Sequence, residues 1–207
     1  MSKQYFENND LLASNEQIIT YYYKQFIIEL FSDAGVFSVK QVDFGTNLLI
    51  KNVILPENCT KILDVGCGYG PIGITLAKAN PKVYVHMIDV NLRAIDLAKR
   101  NAEHNNLKNA EIWESDLYTT VEGKYDLIIS NPPIRAGKKV VHGVFEGAIN
   151  YLKPYGELWI VIQKKQGAPS AYSKLTSLFD HVEIIAKEKG YWIIKAKHNG
   201  ENKNGQV

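Results

Sequence analysis

The chain has 207 residues, of which 45% are hydrophobic and 22% charged, and its formal net charge is +2. At about 100–200 residues per domain this is one domain with a short appendage, and the composition excludes disordered, collagen-like and coiled-coil chains. A charge so near zero does not announce nucleic-acid binding, which has to be argued from local clusters. The longest apolar runs, such as Leu158 to Ile162 and Leu127 to Ile129, fall far short of the roughly 20 residues that span a bilayer. Met1 to Asp10 lacks the basic start and apolar middle of a secretion signal, so a cytoplasmic protein without membrane contact is expected. The two cysteines, Cys59 and Cys67, lie in unlike contexts without metal-ligand spacing, which indicates neither a disulfide framework nor a metal site.

In chain order, Ile18 to Tyr23 and Phe26 to Leu30 are rich in β-branched and aromatic residues and predict a hairpin. Gln41 to Val53 carries a weak helical stripe, and Pro56 to Thr60 is a linker. Residues 1–55 are therefore expected to form an N-terminal cap packed on a main domain at 56–198. From Lys61 onward short β-type runs alternate with amphipathic stretches, the pattern of a parallel sheet with helices on both faces. Strands are predicted at Lys61 to Val65, Val83 to Asp89, Ala110 to Glu114, Tyr125 to Ser130 and Glu157 to Gln163. Helices are predicted at Ile72 to Ala79, Leu92 to His104, Val140 to Leu152 and Ser170 to Phe179, with Pro154-Tyr155-Gly156 as a turn. Val182 to Lys187 and Tyr191 to Lys197, split by Gly190, predict a closing hairpin that adds antiparallel strands to one edge. The Asn/Gly/Lys-rich tail, 199–207, reads as disordered.

Asp64-Val65-Gly66-Cys67-Gly68-Tyr69-Gly70 falls where the first strand of the main domain gives way to a helix. Glycine lets backbone approach a ligand closely, and the helix N-terminus offers N–H groups to an anion, so a nucleotide-like molecule is expected here. Gly68, Gly70 and Gly73 also satisfy G-x-G-x-x-G, which raises a nicotinamide-dependent dehydrogenase. The register opposes it: in that fold the first glycine follows the strand almost directly, whereas Asp64 and Gly66 already occupy the junction. A carboxylate at Asp64 suits a ligand with an ammonium group better than a pyrophosphate. Asp89 ends the second strand, where a carboxylate can accept from both ribose hydroxyls; capping the next helix is its alternative role, although Asn91 is better placed for that. Asp116 follows the third strand, where it either takes an adenine amine or is an ordinary loop carboxylate.

Asn131-Pro132-Pro133-Ile134 follows the fourth strand. Consecutive prolines remove two backbone donors and hold the chain extended. The Asn131 amide oxygen and the Pro132 carbonyl then form a pair of acceptors for a planar –NH2 group, an arrangement that serves amine alkylation by stabilising the charge that develops on nitrogen. The bland alternative is a strand-terminating turn.

These motifs together resemble the class I S-adenosylmethionine-dependent methyltransferases that modify nitrogen. More narrowly, Gly35 to Ser38, Asp43 to Leu49, Ile62 to Gly70 and Asn131 to Lys138 resemble the single-domain relatives of the RsmC-type 16S rRNA guanine-N2 methyltransferases. The resemblance implies a Rossmann-like seven-stranded sheet ordered 3-2-1-4-5-7-6 and S-adenosyl-L-methionine as cofactor. It places Asp64, Gly66 and Gly68 at the methionine portion and Asp89 at the ribose, with Val90 also in the cofactor site. Asp116 and Leu117 meet adenine, Asn131 the target amine, and Phe37 and Thr46 close the pocket. It implies guanine N2 in small-subunit ribosomal RNA as substrate, with ribosomal RNA or a ribosomal subunit as partner. Glutamine-N5 methyltransferases of release factors share Asn-Pro-Pro, usually followed by Tyr, and a module that binds the cofactor without turnover is a further reading.

Two departures stand out. Ile134 occupies the place where many amino methyltransferases carry an aromatic residue to stack on a base, so Phe37, Tyr69 or Tyr118 is the substitute candidate. Longer family members also possess a second, methyltransferase-like domain for which 207 residues leave no room. RNA contact is then expected from the cap hairpin, from a second subunit of a homodimer, or from basic loops: Arg135, Lys138 and Lys139 after the fourth strand, and Lys164 and Lys165 after the fifth.

Overall fold

The computed structural model describes residues 15–34, 36 and 40–199. Strands β1 (Gln17–Tyr23) and β2 (Phe26–Ser32) pair antiparallel across a tight turn in which Lys24 takes φ +50°. Period-two alternation buries Ile19, Tyr23, Ile28 and Leu30 and leaves Ile18, Tyr22 and Ile27 exposed on the opposite side. Helix α1 (Phe44–Asn52) follows, capped by the Asp43 carboxylate, which accepts from the N–H groups of Gly45 and Thr46.

The main sheet is built from β3 (Lys61–Val65), β4 (Tyr84–Asp89), β5 (Ala110–Glu114), β6 (Tyr125–Ser130), β7 (Leu152–Gln163), β8 (His181–Glu188) and β9 (Tyr191–Lys197). Between them run α2 (Pro71–Ala79), α3 (Leu92–His104), α4 (Lys138–Tyr151) and α5 (Ala168–Leu178). The strand order is β5-β4-β3-β6-β7-β9-β8, which is 3-2-1-4-5-7-6 when only sheet strands are counted. β3 to β7 are parallel, and β9 runs antiparallel to both β7 and β8.

Because both faces are covered, successive residues of one strand enter different cores. Ile62, Val85, Met87 and Leu127 join the core under α1, α2 and α3, which also takes the hairpin residues Ile28 and Leu30. Leu63, Ile88, Ile128 and Leu158 join the core under α4 and α5. Each such fully buried aliphatic side chain contributes about 1.5–3 kcal/mol relative to exposure.

Side chains of α3 hold the hairpin. Asn101 accepts from the Phe31 N–H at 2.6 Å and donates to the Phe31 carbonyl and to the Tyr69 carbonyl, both at 2.9 Å. Asn105 donates to the Glu29 carbonyl, Arg93 pairs with Asp33, and Arg100 pairs with Glu16. The inner edge of β2 is thereby satisfied by amides rather than by another strand.

Several predicted boundaries shift by one to three residues, and one is displaced further. β7 begins at Leu152, not Glu157, and passes through Pro154-Tyr155-Gly156 by a shift of register against β6 between Tyr125 and Leu127. The turn chemistry read from the sequence is present as a bulge: Tyr155 takes φ +66°, while the Tyr155 N–H donates to the His198 carbonyl and the His198 N–H to the Gly156 carbonyl. Of the tail, residues 200–207 lie outside the described residues. Among the described residues no helix is long and apolar enough to cross a membrane.

Candidate active site

A cavity of about 340 Å³ opens along the C-terminal edge of the parallel strands, within the roughly 300–1,000 Å³ of small-molecule sites and at the edge where open α/β sheets bind ligands. Residues following β3, β4, β5, β6 and β7 line it, joined by Asp43 and Thr46 from the start of α1 and by Tyr191 from the start of β9.

The glycine turn forms its floor. Gly66 and Gly68 take φ +71° and +57°. Among the described residues a Cβ at Gly68 would meet nothing within 4 Å, and one at Gly66 only Pro133 at 3.8 Å, so there the absent side chains leave open space above exposed backbone. The turn is pinned from behind, where the N–H groups of Gly66 and Cys67 donate to the Ile88 carbonyl at 2.8 and 2.9 Å.

Asp64 does not line this cavity. It is completely buried, with Oδ2 accepting from the Gly73 N–H at 2.9 Å and Oδ1 lacking a partner among the described residues. The reason is strand alternation: two residues before Gly66 the chain is still in β3, and the side chain points under α2 rather than out of the sheet edge. Burial, reinforced by the negative charge of Asp89, pushes its pKa up to about 7 against the pull of the Gly73 N–H.

Asp89 does line the cavity. Its Oδ2 accepts from the Gly68 N–H and its Oδ1 from the Asn91 N–H, each at 2.9 Å, which links the glycine turn to the end of β4. Burial holds its carboxyl above the usual range, opposed by the N–H groups of Asn91, Gly68 and Val90. A carboxylate offers about four acceptor positions, so capacity remains toward the cavity. Helix capping falls to Asn91, whose amide oxygen accepts from Arg93 and Ala94. Val90 lines the wall, as do Asp116 and Leu117 at the end of β5. Leu117 takes φ +51°, and the Ser115 hydroxyl donates to its carbonyl.

At the end of β6 the Ser130 hydroxyl bridges to the Val65 carbonyl at 2.7 Å, tying Asn131 to the glycine turn. Asn131, Pro132, Pro133 and Ile134 all line the cavity. Asn131 Nδ2 donates to Thr46 Oγ1 at 2.9 Å and faces Asp43 Oδ2 at 3.5 Å. A carboxylate only accepts, so this contact fixes which end of the amide faces α1. Among the described residues no protein donor takes Asn131 Oδ1. The Pro133 carbonyl accepts from the Ala136 N–H in a 3-10 turn at Ile134–Ala136, whereas the Pro132 carbonyl has no such partner among the described residues.

Thr46, placed at the pocket only by resemblance, thus gains a physical role as the anchor of Asn131. Phe37 lies outside the described residues. Of the basic residues, Arg135 lines the cavity; Lys138, Lys139, Lys164 and Lys165 are exposed and outside its wall, although Val140 and Gln166 beside them are in it. Sequence reasoning missed Asp43 and Tyr191. An Asp just before an apolar-periodic stretch is a helix-start signal that marked Asp43; nothing local marked Tyr191, which reaches the site because β9 reverses direction. Tyr118 is excluded as a base platform, being buried, hydrogen-bonded to the Val144 carbonyl and stacked on Tyr151 at 5.0 Å.

Several known proteins are similar to this chain over most of its length. The profile of the methyltransferase small domain matches residues 27–195. The uncharacterized protein YbxB of Bacillus subtilis (strain 168) is 52% identical over 199 residues, covering 95% of this chain and 99% of that one. Ribosomal RNA small subunit methyltransferase C of Aeromonas hydrophila is 40% identical over 168 residues, 79% of this chain and 47% of that protein, so the chain spans about half the length of that relative. The 16S rRNA N2 methyltransferase RsmC of T. thermophilus, solved with AdoMet and guanosine, superposes with a TM-score of 0.75 at 24% identity, over 92% of this chain and 52% of that one.

Proposed function

The chain belongs to the methyltransferase small domain family, class I S-adenosylmethionine-dependent methyltransferases related to RsmC, and from that premise we propose that it methylates an exocyclic amine of a nucleobase, guanine N2 in small-subunit ribosomal RNA. This replaces the dehydrogenase alternative, which the family match overturns. The cofactor fits the residues present: open backbone at Gly66 and Gly68 admits its methionine portion, Asp89 keeps acceptor positions for ribose hydroxyls, and Val90, Asp116 and Leu117 wall the base. When bound, S-adenosylmethionine supplies an electrophilic methyl carbon on a sulfonium.

The observation that carries the reading is the orientation of Asn131. With Nδ2 committed to Thr46 and Asp43, Oδ1 and the Pro132 carbonyl are the acceptors for the two protons of an incoming –NH2. They position the nitrogen and counter the positive charge it gains as it attacks, and oriented dipoles of this kind need no reorganisation during the reaction. The Asp43 carboxylate adds negative field from behind. β4 and β6 are separated by β3 alone, so Asp89 and Asn131 stand about two strand spacings, ~10 Å, apart, with the glycine turn between them. Arg135 and the lysines after β6 and β7 would meet phosphates beside the opening.

The test is methyl transfer from labelled S-adenosylmethionine to 16S rRNA and to small ribosomal subunits purified from cells lacking this protein, read by nucleoside mass spectrometry. N2-methylguanosine is the expected product. Label absent from RNA, or found on a protein glutamine, refutes the proposal.

A further inference from the structure

Two aromatic rings line the cavity among the described residues, Tyr69 and Tyr191. Tyr69 is only 2% exposed, and burial raises its hydroxyl's pKa, so it offers little surface to a ligand. Tyr191 is half-buried. It is the first residue of β9, paired with Gln163 at the end of β7, and the antiparallel run of β9 brings it to the same sheet edge as the ends of the parallel strands. The preceding two-residue turn, Lys189-Gly190, takes φ +46° and +82°, the left-handed pair that matches strand twist in a tight hairpin. The Gly190 carbonyl accepts from the Lys164 N–H at 2.6 Å, which ties this turn to the end of β7.

The ring is backed on one side. Phe44 stands 5.5 Å away at an interplanar angle of 50°. A Cβ on Gly45 would stand 2.9 Å from Tyr191 Cε1 and 3.2 Å from Asp43 Oδ1, so only glycine permits the ring to lie this close to α1. The same contact places the ring beside Asp43, whose other oxygen faces Asn131. Lys189 Nζ stands 4.7 Å over the Phe44 ring, adding a cation at the rim.

Resting on the nucleobase reading above, we propose that Tyr191 is the platform on which the target base stacks while Asn131 and Pro132 hold its amine, making Tyr191 a specificity-determining residue that selects a flat substrate. Ile134 bounds the cavity with an aliphatic side chain, so the flat surface comes from β9 instead of from the residue after the prolines. A rigid ring at the end of a hairpin meets any base face at low entropic cost, whereas a glutamine side chain presents no comparable face. Stacking accounts for selection of a base; the hydrogen bonds at Asn131 select its amine.

The experiment measures methyl transfer to 16S rRNA by Tyr191→Phe, Tyr191→Leu and Gly45→Ala, with S-adenosylmethionine affinity measured by calorimetry as the check on folding. Base–aromatic stacking sets the expected loss at about ten- to a hundredfold. Tyr191→Leu should raise the KM for RNA by that factor at unchanged cofactor affinity, and Tyr191→Phe should stay close to wild type. Gly45→Ala, which pushes the ring off α1 without altering it, should raise the same KM. An unchanged KM in Tyr191→Leu, or a loss in Tyr191→Phe equal to that in Tyr191→Leu, overturns the stacking role even if wild-type protein methylates RNA. Wild-type protein that binds the cofactor and labels no RNA defeats the nucleobase reading itself, and this inference with it.

Discussion

Replacing Asp64 by Asn should remove a pH dependence of stability that the wild-type protein carries. The Asp64 carboxyl is completely buried, one of its oxygens has no partner among the described residues, and its pKa is pushed from 3.8 to about 7, first by burial and then by Asp89. In the unfolded chain the group releases its proton near pH 4; in the folded protein it keeps it to about pH 7. Between those values the folded state binds more protons, so stability falls as pH rises and levels off above the folded pKa. From pH 5 to pH 8 the excess binding integrates to about two pH units, and at 1.36 kcal/mol per unit the loss is about 2–3 kcal/mol. Asn is isosteric, keeps an oxygen for the Gly73 N–H and cannot ionise. Urea unfolding of both proteins at pH 5 and pH 8 isolates the group, because opposing contributions are common to both: His86, for example, pushed down to about 4 by burial, favours higher pH in each. The stability difference between variant and wild type should grow by about 2–3 kcal/mol in the variant's favour across that interval. Parallel pH profiles would refute the account of Asp64 as a buried carboxyl held protonated.

Three further outcomes follow from the site. Asp89→Ala removes an acceptor expected to take two ribose hydroxyls, and at about 1.5–3 kcal/mol per charge-assisted bond the S-adenosylmethionine Kd should rise by at least about a hundredfold; calorimetry showing unchanged affinity contradicts the assignment. Asn131→Ala should leave that Kd near normal and lower kcat by about 10²–10³-fold, measured under saturating RNA, and retained turnover defeats its role. Lys164→Glu with Lys165→Glu should weaken RNA binding and flatten its logarithmic salt dependence by about one to two units, with cofactor affinity intact; an unaltered slope removes these lysines from the interface.

Where hydrophobic period and a capping residue agreed, the sequence was sufficient. Leu92 to His104 is such a case, since Asn91 caps the helix and Ala94, Ile95, Leu97 and Ala98 fall on one buried face. The glycine turn and Asn-Pro-Pro were legible because their chemistry is local: positive φ and missing donors leave a trace in residue type. What was not legible depended on direction or on distant partners. Asp64 belongs to a motif, yet strand alternation turns it inward. Pro154-Tyr155-Gly156 carries turn residues that the fold uses for a bulge, because the strand continues on both sides of them. Tyr191 reaches the cavity only through an antiparallel strand packed against a parallel one, a pairing that no short window of sequence contains. The anchoring of Asn131 by Thr46 spans 85 positions of chain and is a product of topology.

The single amide of Asn101 grips both the backbone of Phe31 in the hairpin and the carbonyl of Tyr69 in the glycine turn. Peeling the hairpin away would therefore release a tether on the loop proposed to receive the methyl donor, and occupancy of that loop would in turn restrain the hairpin. The N-terminal strands, which contribute no residue to the cavity wall, are in this sense a brace for it: cooperative opening of the two segments, seen as shared amide exchange, is what such a shared fastening entails.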